Sequence, residues 1–537
     1  MIDVAVVGSG ASAVHAAYPL VEAGLRVAMV DVGDEDRRYG NLIPARGFEQ
    51  IRRSDTSQHR YFLGDDFEGI PLGPVRVGAQ LTPPRQHLAA ALGKLPIDSP
   101  EFHAMQSLAL GGLAAGWGAA TPPYTDEDLA GWPITRHDLQ PHYDAVARRV
   151  GICGTDEDDL DSYYGASPFL LPPARIDSNA VRIRSAYARR REWFNDRGLH
   201  LGHPRLAMAT RRFRGRGPTR YLDMEFWSDA DGGVYRPRYT LEELRRHSNF
   251  EYLSPMQVDS FARLTNGGVR VLGRDLAAQV GIDFECRRLV LAAGAIGTAR
   301  IVLRSLGAVG APVPLLSNPY TYYPCLVIKS LFGPTRDRRH SLTQVMMYHR
   351  PADEKAALLQ AQVYSYRSLL TFKLVKESPL PVRESIRVMR LLQSAFVIVG
   401  VHHRDDPAEW KSLKLQDAET GRLSVHYSPT DDETALRMSR ERELMRLFPR
   451  LGCIPLKRID PGEGSSIHYA GTLPMSENSA PLTTRPDGSL RGADDVFVVD
   501  GSVFPTLPAK GLTYTCMANA NRVGEGIAEW FERRGAI

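Results

Sequence analysis

His468 stands in "SSIHYAGTLPM" (465–475), between two serines and a Gly-Thr turn. A neutral imidazole can accept a proton near neutral pH, so His468 is the first candidate for a catalytic base. The other chemically suggestive stretch lies at the opposite end of the chain. In "VAVVGSGASAVH", Gly8 and Gly10 permit a tight turn and close approach of backbone to a phosphate, and Ala13 is small enough to pack a helix against a strand. Asp31, twenty-one residues after Gly10, can accept both hydroxyls of an adenosine ribose.

These residues need elements to hold them. Val4 to Val7 reads as a buried parallel strand, followed by the glycine turn, a helix, and a second strand in "RVAMVDV" that ends at Asp31. A pyrophosphate would sit on the N-terminus of that helix. The fingerprint fits FAD and NAD equally. "ALGGLAAGWGAATP" (109–122) is rich in glycine and alanine, suited to backbone lying flat against a large planar cofactor. "RRLVLAAGAIGTARIVLRSLG" (287–307) reads as strand, turn and helix, and "DDVFVVDGSVFPTLPAKGLTYTCMANANRVGEGIAEW" as a strand ending at Asp500, a loop, and a terminal helix starting near Leu512.

The chain has 537 residues, too many for one simple core, so two or three packed domains are expected. Sixty-six basic and 62 acidic side chains leave a net charge of +4, which argues against a general nucleic-acid binder. The five cysteines lie far apart with no CxxC pair, so neither a metal site nor a disulfide framework is expected, and a reducing, cytoplasmic setting fits. "MIDVAVVGSG" leaves no room for a signal peptide, and the most apolar internal stretch, 391–401, is shorter than the ~20 residues that span a bilayer.

Together these segments resemble the glucose-methanol-choline (GMC) oxidoreductases, FAD-dependent enzymes that oxidise alcohols. The fingerprint, the GG turn followed by "GWPITRHDLQPHYDAV" (131–146), "LAAGAIGTARI" and "IHYAGTLPM" occur in family order over most of the chain. The resemblance implies an α/β fold: a Rossmann-like FAD-binding domain (GMC/PHBH-like) with an inserted α+β substrate-binding domain built on an antiparallel sheet. The FAD domain would be discontinuous, from 1–155, 248–310 and 464–537, and the substrate domain would comprise 156–247 and 311–463.

By the same resemblance Gly8, Gly10 and Asp31 would hold the pyrophosphate and ribose, and Val258 would meet adenine through its backbone. Gly111, Gly112 and the backbone through Trp117 would lie beside the flavin, and Asp500 and Gly501 would meet the ribityl and phosphate region. Leu512 would open a helix whose N-terminus faces the flavin. Some relatives attach FAD through a histidine just before the tryptophan; Gly116 stands there, so FAD is expected to be non-covalent. His468 matches the family's H-x-x-G-T turn and is expected to be the base, with a pKa near 7.

Relatives usually supply an asparagine or a second histidine at the start of the terminal helix. That position is Gly511, 43 residues after His468 (511 minus 468). Lys510 swinging into the gap is the expected substitute, with Asn519, Asn521 or a group of the substrate as alternatives.

A sugar, cyclitol or other polyhydroxylated alcohol is the expected substrate, with "PLGPVRVGAQLTPPRQHL" (71–88) as part of a lid. "PYTYYPC" (319–325) reads either as a wall of the substrate site or as core, and the arginines of 185–193 and 211–220 either as a guide for an anionic substrate or as solvated surface. Oxygen, a quinone or a redox protein could each take the electrons. A non-redox member of lyase type, or an idle FAD-binding protein, is the alternative reading.

Overall fold

The computed structural model describes residues 2–44, 46–69, 82–221, 232–265, 267–333, 340, 342–351, 357–365, 375 and 378–535. Most of the lid segment expected at 71–88 lies outside the described residues.

The apolar run of Ile2–Val7 is buried on both faces because it occupies the middle of a parallel sheet. Its neighbours are Val27–Val30 on one side and Val280–Leu291 on the other; Phe250–Leu253 and Ala493–Val498 extend the parallel set outward. In chain order the five strands therefore lie 3-2-1-4-5. That order reverses between Ile2–Val7 and Val280–Leu291, so the loops leaving their carboxyl ends part and open a crevice there. A hairpin of Met256–Arg263 and Val269–Asp275 continues the sheet from the first half of Val280–Leu291. All of these strands come from 1–155, 248–310 and 464–537.

Helix Ala11–Glu22 covers one face of the parallel sheet and packs against the terminal helix Thr513–Arg533. Gly524 permits the close approach, since a Cβ there would stand 2.4 Å from the carbonyl oxygen of Ala16.

A second, six-stranded sheet is antiparallel throughout. Its order is Cys453–Pro455, Tyr320–Val327, Phe396–His402, Leu359–Ser365, Thr343–His349 and Leu199–Gly202. Alternate side chains point to opposite faces. One face, with Tyr323, Val399, Val363 and Met347, forms an apolar core with helix Ser178–Ala188 and the end of helix Asp431–Met445. The register places Tyr320 opposite His402 and His402 opposite Gln360, while Gln362 and Tyr348 lie on that same second face. This face is buried too, but it is polar, and His402 and Tyr320 bring it to His468.

Candidate active site

The crevice at the strand-order reversal is lined by Gly8, Gly10, Asp31, Gly111, Gly112, Val258, Asp500, Gly501 and Leu512, nine of the residues expected to meet the cofactor. Gly8 has φ +100°, and a Cβ there would lie 2.7 Å from the backbone oxygen of Ala292, so only glycine fits. Gly10 is different. Its φ is ordinary, and the nearest atom to an added Cβ would be the Gly111 oxygen at 3.8 Å. That open space lies at the start of helix Ala11–Glu22, whose first turn has no side-chain cap, leaving backbone N–H groups free for an anion.

Asp31 is half-buried, and desolvation by the surrounding protein pushes its carboxyl up to about 6. Two hydroxyls donate to its Oδ2, that of Tyr252 at 2.9 Å and that of Ser9, while Ser9 Oγ accepts from the Gly111 backbone N–H at 2.9 Å. One serine thus ties Asp31 to the GG turn. Gly111 and Gly112 both have positive φ, and the turn passes close to Gly10. The glycine cradle, the free helix N-terminus and the half-buried acid together fit a dinucleotide.

The remaining expected cofactor residues play supporting parts. Ala13 is wholly buried in the core between helix and sheet. A Cβ on Gly116 would stand 2.6 Å from Leu88 Cδ1, and Trp117 donates its indole N–H to the Tyr235 oxygen at 2.9 Å. The Asp500 carboxylate is committed within the protein: Oδ1 accepts from Ser502 and Oδ2 from Thr298 at 2.6 Å. The terminal helix begins at the crevice, with Leu512, Thr513 and Cys516 in its lining and no side-chain cap at Leu512.

His468 sits between Ile467 and Tyr469, both of which line the crevice. Its Nδ1 lies 3.0 Å from Asn318 Oδ1. Asn318 can present only that oxygen, because its Nδ2 donates to the backbone oxygens of His403 and Pro508, each at 2.8 Å. The proton of a neutral His468 therefore belongs on Nδ1, and Nε2 keeps a bare lone pair with no hydrogen bond to any described residue. The adjoining Ser317 N–H donates to Asp405 Oδ2 at 2.9 Å, and Lys411 pairs with Asp405 Oδ1. Asn318 is thus fixed from both sides.

Although part of the ring surface remains open, the surrounding protein desolvates His468 and pushes its pKa down to about 4 rather than leaving it near 7. Ile467 has φ +60°, an uncommon conformation for a β-branched residue, costing on the order of 1–3 kcal/mol, and it sets the direction in which His468 leaves the turn.

Lys510 does not swing into the gap beside His468. Its ammonium is buried against Asp128 Oδ2 at 2.6 Å, the Tyr163 oxygen at 3.0 Å and the Pro123 oxygen at 3.4 Å. A buried cation requires such partners, and all three lie on the segment 123–163. Asn521 is likewise committed, contacting Arg149, His142 and Glu525; Asn519 Oδ1 accepts from Arg522, while its buried Nδ2 has no partner among the described residues. Gly511 has room for a side chain, the nearest atom to a Cβ being 3.8 Å away.

Two residues of this cluster escaped the sequence reading. Asn318 precedes a proline at a strand end, and His402 closes the strand "FVIVGVH"; neither position carries a motif. Of the basic runs, Arg191 pairs with Asp159 and Arg214 with Glu243, while Arg216 packs over Tyr235 and Tyr239.

The parallel 3-2-1-4-5 sheet and its glycine crevice define an α/β protein whose crevice has the form of a dinucleotide site. Residues 458–520, which contain His468 and Gly511, match the family model described as GMC oxidoreductase. The chain is 24% identical to 6'''-hydroxyparomomycin C oxidase of Streptomyces lividus, over 98% of this chain and 91% of that one. It superposes on pyridoxine 4-oxidase from Mesorbium loti with a TM-score of 0.59 at 16% identity, covering 99% of each chain. On the formate oxidase of Aspergillus oryzae RIB40, from a study of FAD modification, the TM-score is 0.64 at 12% identity, again over 99% of each. The family match thus covers the segment that carries the candidate base, and the likeness to these two oxidases shows the same fold over the whole chain. Among the described residues no helix is long and apolar enough to cross a membrane.

Proposed function

We propose that this protein oxidises a polyhydroxylated alcohol to the carbonyl compound, with His468 as base. The FAD-binding domain comprises 1–155, 248–310 and 464–537, and the substrate domain comprises 156–247 and 311–463. Gly8, Gly10 and the first turn of Ala11–Glu22 hold the pyrophosphate, Asp31 the ribose and the Val258 backbone the adenine. Gly111, Gly112, Asp500, Gly501 and Leu512 lie along the rest of the cofactor. Bound there without a covalent link, FAD supplies the two-electron acceptor for the carbinol hydride.

The observation that carries this reading is the Asn318 clamp. It fixes the Nδ1–H tautomer, so Nε2 of His468 is the lone pair left to receive the hydroxyl proton. The open N-terminus of Thr513–Arg533 adds partial positive charge at the same crevice, where negative charge accumulates as the alcohol is oxidised.

The name of one similar protein, an oxidase of a hydroxyparomomycin, supports a hydroxyl-bearing substrate. Three similar proteins are named oxidases, of a hydroxyparomomycin, of pyridoxine and of formate, which supports oxygen as the electron acceptor.

The test is an anaerobic panel of methyl glycosides, inositols, pyridoxine and 6'''-hydroxyparomomycin C against the holoprotein. At least one polyol should bleach the oxidised flavin band, and admitting oxygen should restore it. A panel that leaves the band untouched would favour a non-redox or binding role.

A further inference from the structure

A base is only half of an alcohol-oxidising site. As the hydroxyl proton leaves, the oxygen gains negative charge and needs a hydrogen-bond donor aimed at it. Gly511 offers none, Lys510 and Asn521 are committed elsewhere, and Asn519, whose buried Nδ2 has no partner among the described residues, stands ~12 Å further along the terminal helix than Gly511. One polar ring nevertheless lies against His468. His402, at the end of strand Phe396–His402, stacks on it with ring centroids 5.4 Å apart and planes inclined by 20°.

The sheet builds this contact. Tyr320, opposite His402 in the neighbouring strand, packs on its other side at 4.6 Å. Gly400 makes room for that tyrosine, since a Cβ there would come within 2.7 Å of the Tyr320 hydroxyl. The row Tyr320, His402, His468 therefore runs from the antiparallel sheet to the turn whose Ile467 and Tyr469 line the crevice.

His402 differs from an ordinary core histidine. It is only 6% exposed, yet its Nδ1 is buried with no hydrogen-bond partner, and neither ring nitrogen bonds to another described residue. A buried orphan donor is rarer than an orphan acceptor, which places the ring proton on Nε2. The ring then holds one unspent N–H in the stack with His468, whose own Nε2 is bare.

Building on the assignment of His468 as base, we propose that His402 is the second catalytic histidine, supplied by the substrate sheet in place of the side chain missing at Gly511. The substrate oxygen accepts a hydrogen bond from the His402 N–H while its own proton passes to His468 Nε2. The C–H bond breaks with its electron pair leaving as hydride to the flavin, the C–O bond becomes a carbonyl, and His468 ends protonated while His402 stays neutral throughout.

The discriminating variants are His402→Phe, which keeps an aromatic ring in the stack without a donor, and His402→Gln, which keeps a donor without the ring. Each is compared with wild type and His468→Asn for FAD content, thermal midpoint, anaerobic rate of flavin reduction, and Kd for the carbonyl product read from the bound-flavin spectrum. With the best alcohol of the panel, His402→Phe should reduce roughly 10²-fold or more slowly and bind product more weakly. His402→Gln should recover at least about tenfold of that loss, and Gly511→Asn added to His402→Phe should recover part as well.

If His402→Phe fails to retain FAD, His402→Leu serves as the variant without a donor. His402→Phe or His402→Leu at the wild-type rate, with His468→Asn slow, would overturn the role of His402 and leave that of His468 intact. His468→Asn at the wild-type rate would instead overturn the base assignment.

Discussion

Asn318 Oδ1 lies 3.0 Å from His468 Nδ1, and the Asn318 amide nitrogen is held by two backbone oxygens, so the asparagine sets which ring nitrogen of His468 carries the proton. Asn318→Leu removes the acceptor and frees both tautomers. Flavin reduction should slow by roughly 10-fold or more while FAD content holds, a loss read by anaerobic rapid mixing. Asn318→Asp places a carboxylate against Nδ1–H and should raise the pKa of His468, moving the acid limb of the rate upward.

The pH dependence follows from burial. His468 is held down at about 4, and His402 and His15 well below their usual value, so all three are neutral in the native state at pH 6. In the unfolded chain they titrate near 6.5. Below that value the unfolded state binds more protons, so stability should fall as pH drops from about 6.5 toward about 4 and should gain nothing from these groups above that window. The urea midpoint should be lower at pH 5 than at pH 7, and the difference should shrink in His468→Asn. The rate of flavin reduction by a neutral alcohol should keep its plateau down to about pH 5.

Lys510 and Asp128 form a buried ion pair at 2.6 Å. Lys510→Met strands the carboxylate and should cost about 3–5 kcal/mol in chemical denaturation. Asp128→Leu combined with Lys510→Met should recover much of that loss, because the pair is removed whole. The double variant that retains FAD should reduce at close to the wild-type rate, since neither group hydrogen-bonds His468.

The two fingerprint glycines should fail differently. Gly8→Ala drives a Cβ into the Ala292 oxygen at a backbone φ of +100°, so it should destabilise the protein even without cofactor. Gly10→Ala meets nothing closer than 3.8 Å and should leave the apoprotein as stable as wild type, yet it fills the space for the pyrophosphate. Thermal unfolding of the two apoproteins beside an FAD titration should separate them.

The cofactor side was legible in the sequence because local rules write it. Gly8, Gly10 and Asp31 follow from a strand, a turn and a helix within thirty-one residues, and His468 sits in a compact turn motif. The substrate side was not, because it depends on pairing over long separations. Asn318 is 150 residues from His468 and meets it only because strand Leu316–Ser317 pairs with Tyr469–Ala470. His402 reaches the site through the register of an antiparallel sheet, which no local pattern encodes. Lys510 misled for the same reason: adjacent to Gly511 in sequence, it finds its carboxylate 382 positions away. The "PYTYYPC" aromatics divide between the readings, Tyr320 facing His402 and Tyr323 lying in the apolar core, because neighbouring strand positions face opposite ways.

If Nε2 of His468 takes the substrate proton, His468→Asn mixed anaerobically with the best alcohol of the panel should show full FAD content, an unchanged oxidised spectrum and a single-turnover rate of flavin reduction lower by roughly 10²- to 10⁴-fold, the usual worth of a general base. A folded, fully loaded His468→Asn protein that reduces at the wild-type rate would contradict that role.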